Sequence, residues 1–268
     1  MFESRRPILY LIKLILTMFI LIFTTAGIVL FLTYINRSSK KMLVTTFGFS
    51  SQIYLGFLGI IIHEFSHFIM AIFFGHKIKQ VKFIILPKQA HTDGNLGYVD
   101  HTWNNHSLWQ SLGNLFIGTA PIWGCTTVLY DIIQYMLPNL YDYLSNVQVA
   151  ILSKQWPNIL NFPATCGSTL HEYIVTIIAI YLICNVTIGG FDLSNADLMS
   201  SWPAFLALCN VILIICIASY FIGLSTLVDT ILLKMSLNFV IVMSLSLIFS
   251  ILINIFIRYF RFFIKLQK

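Results

Sequence analysis

Long apolar stretches dominate the sequence, and about six of them are long enough to cross a lipid bilayer as a helix. Only helices and closed barrels satisfy every backbone polar group within the hydrocarbon, so apolar runs of this length predict membrane helices. Hydrophobic residues make up 58% of the chain and charged residues only 10%, which excludes an ordinary soluble domain. We therefore expect an all-α multi-pass membrane protein that forms one integral membrane domain over residues 1–268. The stretches lie at about 8–35, 47–75, 108–136, 171–190, 202–226 and 235–257.

The basic residues flank the apolar stretches and form no long patch, so the net charge of +6 does not indicate nucleic-acid binding. If the N-terminus is inside, the inner connections contain ten Lys and Arg residues and the outer connections contain five. The positive-inside rule then predicts cytoplasmic N- and C-termini in the cell membrane. The cluster Arg37, Lys40 and Lys41, in the predicted outer connection, favours the opposite orientation.

Two connections differ from simple loops. Between the second and third stretches, the β-prone runs VKFIILP and LGYVDHTW flank the turn-rich segment KQAHTDGN. This order predicts a small β-hairpin. Residues 137–170 form a second long connection, which we expect on the outer side, where its tryptophan suits the membrane interface.

The second apolar stretch contains HEFSH, which places His63, Glu64 and His67 inside a predicted membrane helix. A charged side chain at the bilayer centre costs about 2.5–3.5 kcal/mol, so ionisable residues there usually have a function. The two histidines share one helix face and can bind the same metal ion, toward whose water Glu64 can act as general base. Zinc suits this set, since it accepts nitrogen and carboxylate ligands and keeps one position open. The alternative is a pair of buried histidines that hydrogen-bond to neighbouring helices.

A catalytic zinc site needs a third protein ligand, and the chain has few acidic residues to supply it. Asp192 and Asp197 follow the predicted inner end of the fourth span, on the side where the second span also ends. We expect Gly189–Gly190 to unwind the chain there, so that an aspartate reaches the depth of the histidines. Asp93 and Asp100, in the predicted hairpin, remain alternatives.

Three segments together resemble the site-2 protease class of intramembrane zinc metalloproteases, peptidase family M50. They are HEFSH, the glycine- and proline-bearing GNLFIGTAPIWG, and LGYVDH. The resemblance covers about residues 45–205 as a catalytic core, and the chain looks like a small variant without a PDZ domain.

The resemblance implies that His63, His67 and an aspartate on a later helix hold the zinc ion. The usual Asn-Pro and Leu-Asp-Gly signature is absent. Instead, SNADL resembles a variant found in small bacterial members. That likeness makes Asp197 the expected third ligand and Asp192 the runner-up.

The implied activity is hydrolysis of a peptide bond in or near a membrane span of a substrate protein, as in regulated intramembrane proteolysis. The expected partners are therefore a membrane-protein substrate and the lipid bilayer. The hairpin segment 81–103 could hold an extended substrate by strand addition. Tyr98 and His101 in this segment are candidate substrate-binding residues, and Asn114 could donate a hydrogen bond to the developing oxyanion.

Two other functions fit the same motif. A transporter or channel could use the His/Glu cluster to relay protons or metal ions, although we find no inverted repeat of the kind many such folds contain. The second alternative is a non-catalytic, protease-like membrane protein that binds other membrane proteins. Neither the substrate nor the oligomeric state is predicted by the sequence.

Overall fold

The computed structural model describes residues 6–87, 95–153 and 169–266. Within these ranges the chain forms seven helices and one two-stranded antiparallel sheet. In chain order they are α1 (Arg6–Phe47), α2 (Ser50–Phe73), β1 (Lys77–Lys82), β2 (Tyr98–Thr102), α3 (Leu108–Met136), α4 (Pro138–Ser153), α5 (Leu170–Gly190), α6 (Asn195–Ile222) and α7 (Ser225–Leu266).

Four helical segments among the described residues are long and apolar enough to cross a membrane. This agrees with the predicted all-α membrane class, while the count of about six spans stays a prediction. The four segments are Ser50–Phe73, Phe116–Met136, Leu170–Gly190 and Ser225–Ile264.

Several predicted connections are helical instead. The outer connection expected after residue 35 is part of α1, which continues to Phe47. The loop expected between the last two spans is reduced to Gly223 and Leu224, because Gly223 adopts a left-handed φ of 80° that turns the chain at once. α4 occupies the first part of the predicted loop 137–170, and residues 154–168 lie outside the described residues. Arg37, Lys40 and Lys41 therefore lie on a helix, and the side of the membrane on which they and the termini lie stays a prediction.

Polar residues remain inside α1 because they find partners on α5 and α7. The Asn36 side chain donates to the carbonyl oxygen of Thr187 at 2.8 Å and accepts from Ser250 Oγ at 2.8 Å. One turn further, Asn254 donates to Ser39 Oγ at 2.9 Å. Hydrogen bonds of this kind hold membrane helices together, since lipid offers no competing partner. They position α1 along α7 and against the end of α5.

Glycines set the crossing of α2 and α5. A Cβ added at Gly59 would lie 2.5 Å from the backbone nitrogen of Gly190, and Gly56 and Gly189 touch in the same way. The backbones therefore approach more closely than any larger side chain permits. The prediction that Gly189–Gly190 unwinds the chain is wrong: α5 stays helical to Gly190, because these glycines serve the crossing.

The predicted hairpin is confirmed between α2 and α3. β1 pairs with β2, with Ile78 opposite His101, so the first strand begins before the VKFIILP run. Gly75 has a φ of 72° and ends α2, as its position after the apolar stretch predicts. Asp93, one of the alternative ligands, lies outside the described residues.

The close crossing of α2 and α5 requires a residue without a side chain at position 59. We expect Gly59→Val to lower the free energy of unfolding by about 1–3 kcal/mol or more, because the new methyl groups must displace backbone atoms of α5. Thermal unfolding of the purified protein in detergent measures the effect. Gly27→Ala is the control, since a Cβ at Gly27 meets nothing within 4 Å and should leave stability unchanged or raised. Equal stability of the Gly59→Val variant would contradict the close crossing.

Candidate metal centre

His63 and His67 lie on adjacent turns of α2, and both are buried. The Nδ1 atom of His63 is 2.8 Å from the carbonyl oxygen of Gly190, and that of His67 is 2.8 Å from the carbonyl oxygen of Ile117. Because a carbonyl oxygen can only accept, each Nδ1 must carry the proton. In its neutral form each ring then presents an unprotonated Nε2, the state in which imidazole binds a metal.

Both carbonyl oxygens lack a partner in their own helix. Gly190 is the last residue of α5, where the final carbonyls have no helical donor. Ile117 is four residues before Pro121, which has no N–H to donate to it. An unpaired carbonyl in an apolar bundle is costly, so the imidazole N–H groups stabilise both helices while the carbonyls hold the rings.

Asp197 completes a three-residue group. Its Oδ1 lies 3.4 Å from Nε2 of His67 and its Oδ2 lies 3.7 Å from Nε2 of His63. The two Nε2 atoms are 3.2 Å apart. Tetrahedral coordination with bonds of about 2.0–2.1 Å separates neighbouring ligand atoms by about 3.3 Å. The donor set and its spacing therefore fit a metal ion, and in the described part of the chain this is the one such group of three or more ligands.

A capping box holds Asp197 in the first turn of α6. Ser194 is the N-cap, and its Oγ accepts from the backbone N–H of Asp197 at 3.0 Å. In return, Oδ2 of Asp197 accepts from the backbone N–H of Ser194 at 2.8 Å. This reciprocal pair is common at helix N-termini, where backbone N–H groups lack helical partners. Here it also aims the carboxylate at the two histidines.

The runner-up ligand, Asp192, is engaged elsewhere. Its carboxylate lies 2.8 Å from Nζ of Lys40 and 3.3 Å from Nε of Arg37, both on α1. Asp100, another alternative, is exposed on β2 and does not belong to the metal-binding group.

Glu64 is half-buried between α2 and the hairpin. A Cβ at Gly97 would lie 2.7 Å from Cγ of Glu64, so the chain just before β2 passes directly against this side chain. Because residue 97 is a glycine, the hairpin can pack over the Glu64 side chain.

The three predicted substrate-binding residues do not join the metal-binding group. Tyr98 donates across the sheet to Oε1 of Gln80 at 3.2 Å. Asn114 is half-buried near the start of α3. The Nδ1 of His101 lies 3.0 Å from Nδ1 of His76, whose Nε2 donates to the carbonyl oxygen of Gln110 at 2.8 Å.

His101 belongs instead to the junction of the hairpin with α2 and α3. Burial lowers its pKa, and the neighbouring His76 lowers it further, so His101 is neutral at neutral pH. Since His76 uses its Nε2 proton for Gln110, its Nδ1 must accept, and His101 donates.

The carbonyl partners of the histidines and the ion pairs of Asp192 were not predicted from the sequence. One signal was present: a proline four residues after Ile117 frees that carbonyl in any helix. The others depend on contacts between helices, which the sequence pattern does not contain.

No protein-family model matches this chain, and no curated protein and no solved structure matches it either. The site is therefore interpreted from its own geometry.

Replacing Asp197 by asparagine tests the third ligand. Asp197→Asn keeps the side-chain size and an acceptor for Ser194, but it removes the charge that a metal ion requires. We expect metal affinity to fall at least about 100-fold, measured by competition with a chelator. Asp142→Asn, on the exposed face of α4, is the control and should bind like the original protein. Unchanged affinity in the Asp197→Asn variant would exclude this carboxylate as a ligand.

Pro121 offers a second test. In Pro121→Ala, the new backbone N–H competes with His67 for the Ile117 carbonyl, so we expect metal affinity to fall about 10-fold. The metal-free protein should become more stable, because proline inside a helix costs about 3 kcal/mol. Chelator competition and thermal unfolding measure the two effects. Pro138→Ala, at the first residue of α4, should alter neither by much. A Pro121→Ala variant with unchanged metal affinity would show that the freed carbonyl does not matter.

Proposed function

We propose that this protein is an intramembrane zinc metalloprotease of the site-2 protease class, peptidase family M50. Its activity would be hydrolysis of a peptide bond in or near a membrane span of a substrate protein. The observation that carries the proposal is the convergence of His63 Nε2, His67 Nε2 and the Asp197 carboxylate at 3.2–3.7 Å, beside Glu64 of the same HExxH motif.

The donor set favours zinc over other common cations. Two imidazole nitrogens and one carboxylate leave a fourth position for water, as in catalytic zinc sites. Calcium and magnesium prefer sets of oxygen ligands, and only one of the three residues supplies oxygen. The burial of both imidazoles in an apolar bundle also suits an ion whose charge is partly offset by the half-buried Asp197 carboxylate.

The protein's own residues would orient the reaction. When bound, zinc would polarise the scissile carbonyl and lower the pKa of water. The Gly190 and Ile117 carbonyls hold the two rings, so little reorganisation is needed during the reaction. Glu64 would take a proton from the attacking water on a carboxylate oxygen and deliver it to the nitrogen of the departing amine. Water is thereby added across the peptide bond, and Glu64 returns to its initial state.

The hairpin is the element that we propose to present the substrate. A peptide bond inside a helix is hydrogen-bonded and shielded, so a membrane substrate must become extended before attack. An unpaired strand edge can hold an extended chain by backbone hydrogen bonds. The segment at Gly97 passes against Glu64, so a chain held along the hairpin would lie close to the general base. We further propose that both termini are cytoplasmic and that the site opens toward that side.

The decisive experiment separates zinc binding from turnover. Glu64→Gln should retain stoichiometric zinc, since Glu64 is not a ligand. Cleavage of a membrane-embedded reporter should fall about 100-fold or more, the contribution of a positioned general base. Glu172→Gln is the matched control, because Glu172 also follows a histidine but lies in the exposed first turn of α5.

Two results would contradict the proposal. A Glu64→Gln variant that cleaves at the original rate would remove Glu64 from its role. Stoichiometric zinc in the original protein, without cleavage of any membrane substrate tested, would favour a non-catalytic binding protein.

A further inference from the structure

The connector 191–194 joins α5 to α6 and ends at the residue that caps Asp197. It is held by α1, a helix that contributes no ligand to the metal centre. Thr33 Oγ1 donates to the carbonyl oxygen of Phe191 at 3.2 Å, and the Arg37 guanidinium donates to the carbonyl oxygen of Leu193. Both contacts fix the backbone of the connector from the same side.

Charged side chains also attach the connector to α1. Lys40 is only 7% exposed, yet its ammonium group lies 2.8 Å from the Asp192 carboxylate, which also pairs with Arg37. A cation buried in a membrane bundle is costly, and pairing offsets only part of that cost. Replacing a buried ion pair by apolar side chains of similar volume is often neutral or stabilising, so the burial of Lys40 beside Asp192 is weak evidence for a role in fold stability.

The connector transmits this restraint to the third ligand. Asp192 is two residues from Ser194, and the capping box joins Ser194 to Asp197 in both directions. Because the intervening backbone is also held at Phe191 and Leu193, the first turn of α6 cannot shift independently of α1. The depth and direction of the Asp197 carboxylate thus depend on the ion pairs of Asp192.

We infer that Arg37, Lys40 and Asp192 form an ionic clamp that positions Asp197 for metal binding. The three are positioning residues, and the inference rests on the proposed metal centre. Residues that orient a ligand without touching the metal commonly change its affinity 10–100-fold when they are replaced. Without the ionic clamp the three metal-binding side chains remain, but the connector must become ordered when the metal binds. That ordering costs conformational entropy and so lowers the metal affinity.

The test measures zinc affinity of the purified full-length protein by competition with a chelator. Lys40→Met and Asp192→Asn should each weaken binding about 10–100-fold. Arg37→Gln removes one ion pair from an exposed position, and it serves as the milder variant if the other two fail to fold. Lys40→Arg, which keeps the charge, and Lys41→Met, on the exposed face of the same helix, should bind within about twofold of the original protein.

Two further readouts distinguish positioning from general stability. The visible spectrum of the cobalt-substituted protein should change in the clamp variants, because it reports the ligand geometry. Thermal unfolding of the metal-free proteins measures the stability cost separately from the affinity. Of the two ion pairs, Lys40→Met leaves Asp192 with that to Arg37, so this variant should be less stable than Lys41→Met.

The outcomes separate the clamp from the metal centre itself. If the original protein binds zinc and the clamp variants bind it equally well with the same cobalt spectrum, the clamp is overturned while the metal centre stands. If the original protein takes up no zinc, the proposed function fails and the clamp fails with it. A loss of metal-free stability without any change in affinity would also overturn the clamp.

Discussion

The structure depends on two hydrogen bonds in which a histidine of the candidate metal centre donates to a carbonyl oxygen that has no donor in its own helix. Within an apolar bundle both partners would be costly to leave alone. The bond from His63 to Gly190 joins α2 to α5, and the bond from His67 to Ile117 joins α2 to α3. The same two contacts therefore join three helices and orient both imidazole rings, so folding itself arranges the candidate metal site.

These hydrogen bonds form only where the helices lie close together, and glycines permit that close approach. Gly56 and Gly59 meet Gly189 and Gly190 backbone to backbone, which brings the end of α5 within reach of His63. Beyond that crossing, α1 satisfies another carbonyl of α5, that of Thr187, through Asn36. The side chains of Asn36, His63 and His67 thus donate to carbonyl oxygens where a helix ends or loses a donor, which is where unpaired backbone groups would otherwise remain.

The local parts of this arrangement were predictable from the sequence. HEFSH predicted two imidazoles on one face, because a spacing of four residues is a property of the helix itself. The hairpin was predicted from alternation and turn residues, and its first strand began earlier than expected. The connection expected at residues 36–46 is helical, because Asn36, Ser39 and Lys40 find polar partners in other segments that the local sequence does not reveal. Gly189–Gly190 was misinterpreted for the same reason.

The sequence by itself determined the membrane class and the position of His63 and His67 on one helix face. It also limited the acidic residues that could complete the group to a small set. These follow from composition and helical periodicity, which act over a few residues. Only the tertiary structure decided between Asp192 and Asp197. Both follow α5 within a few residues, and their roles diverge because α1 supplies cations to one while the capping box turns the other toward the histidines. That choice depends on contacts between segments more than 150 residues apart, and no local pattern records them.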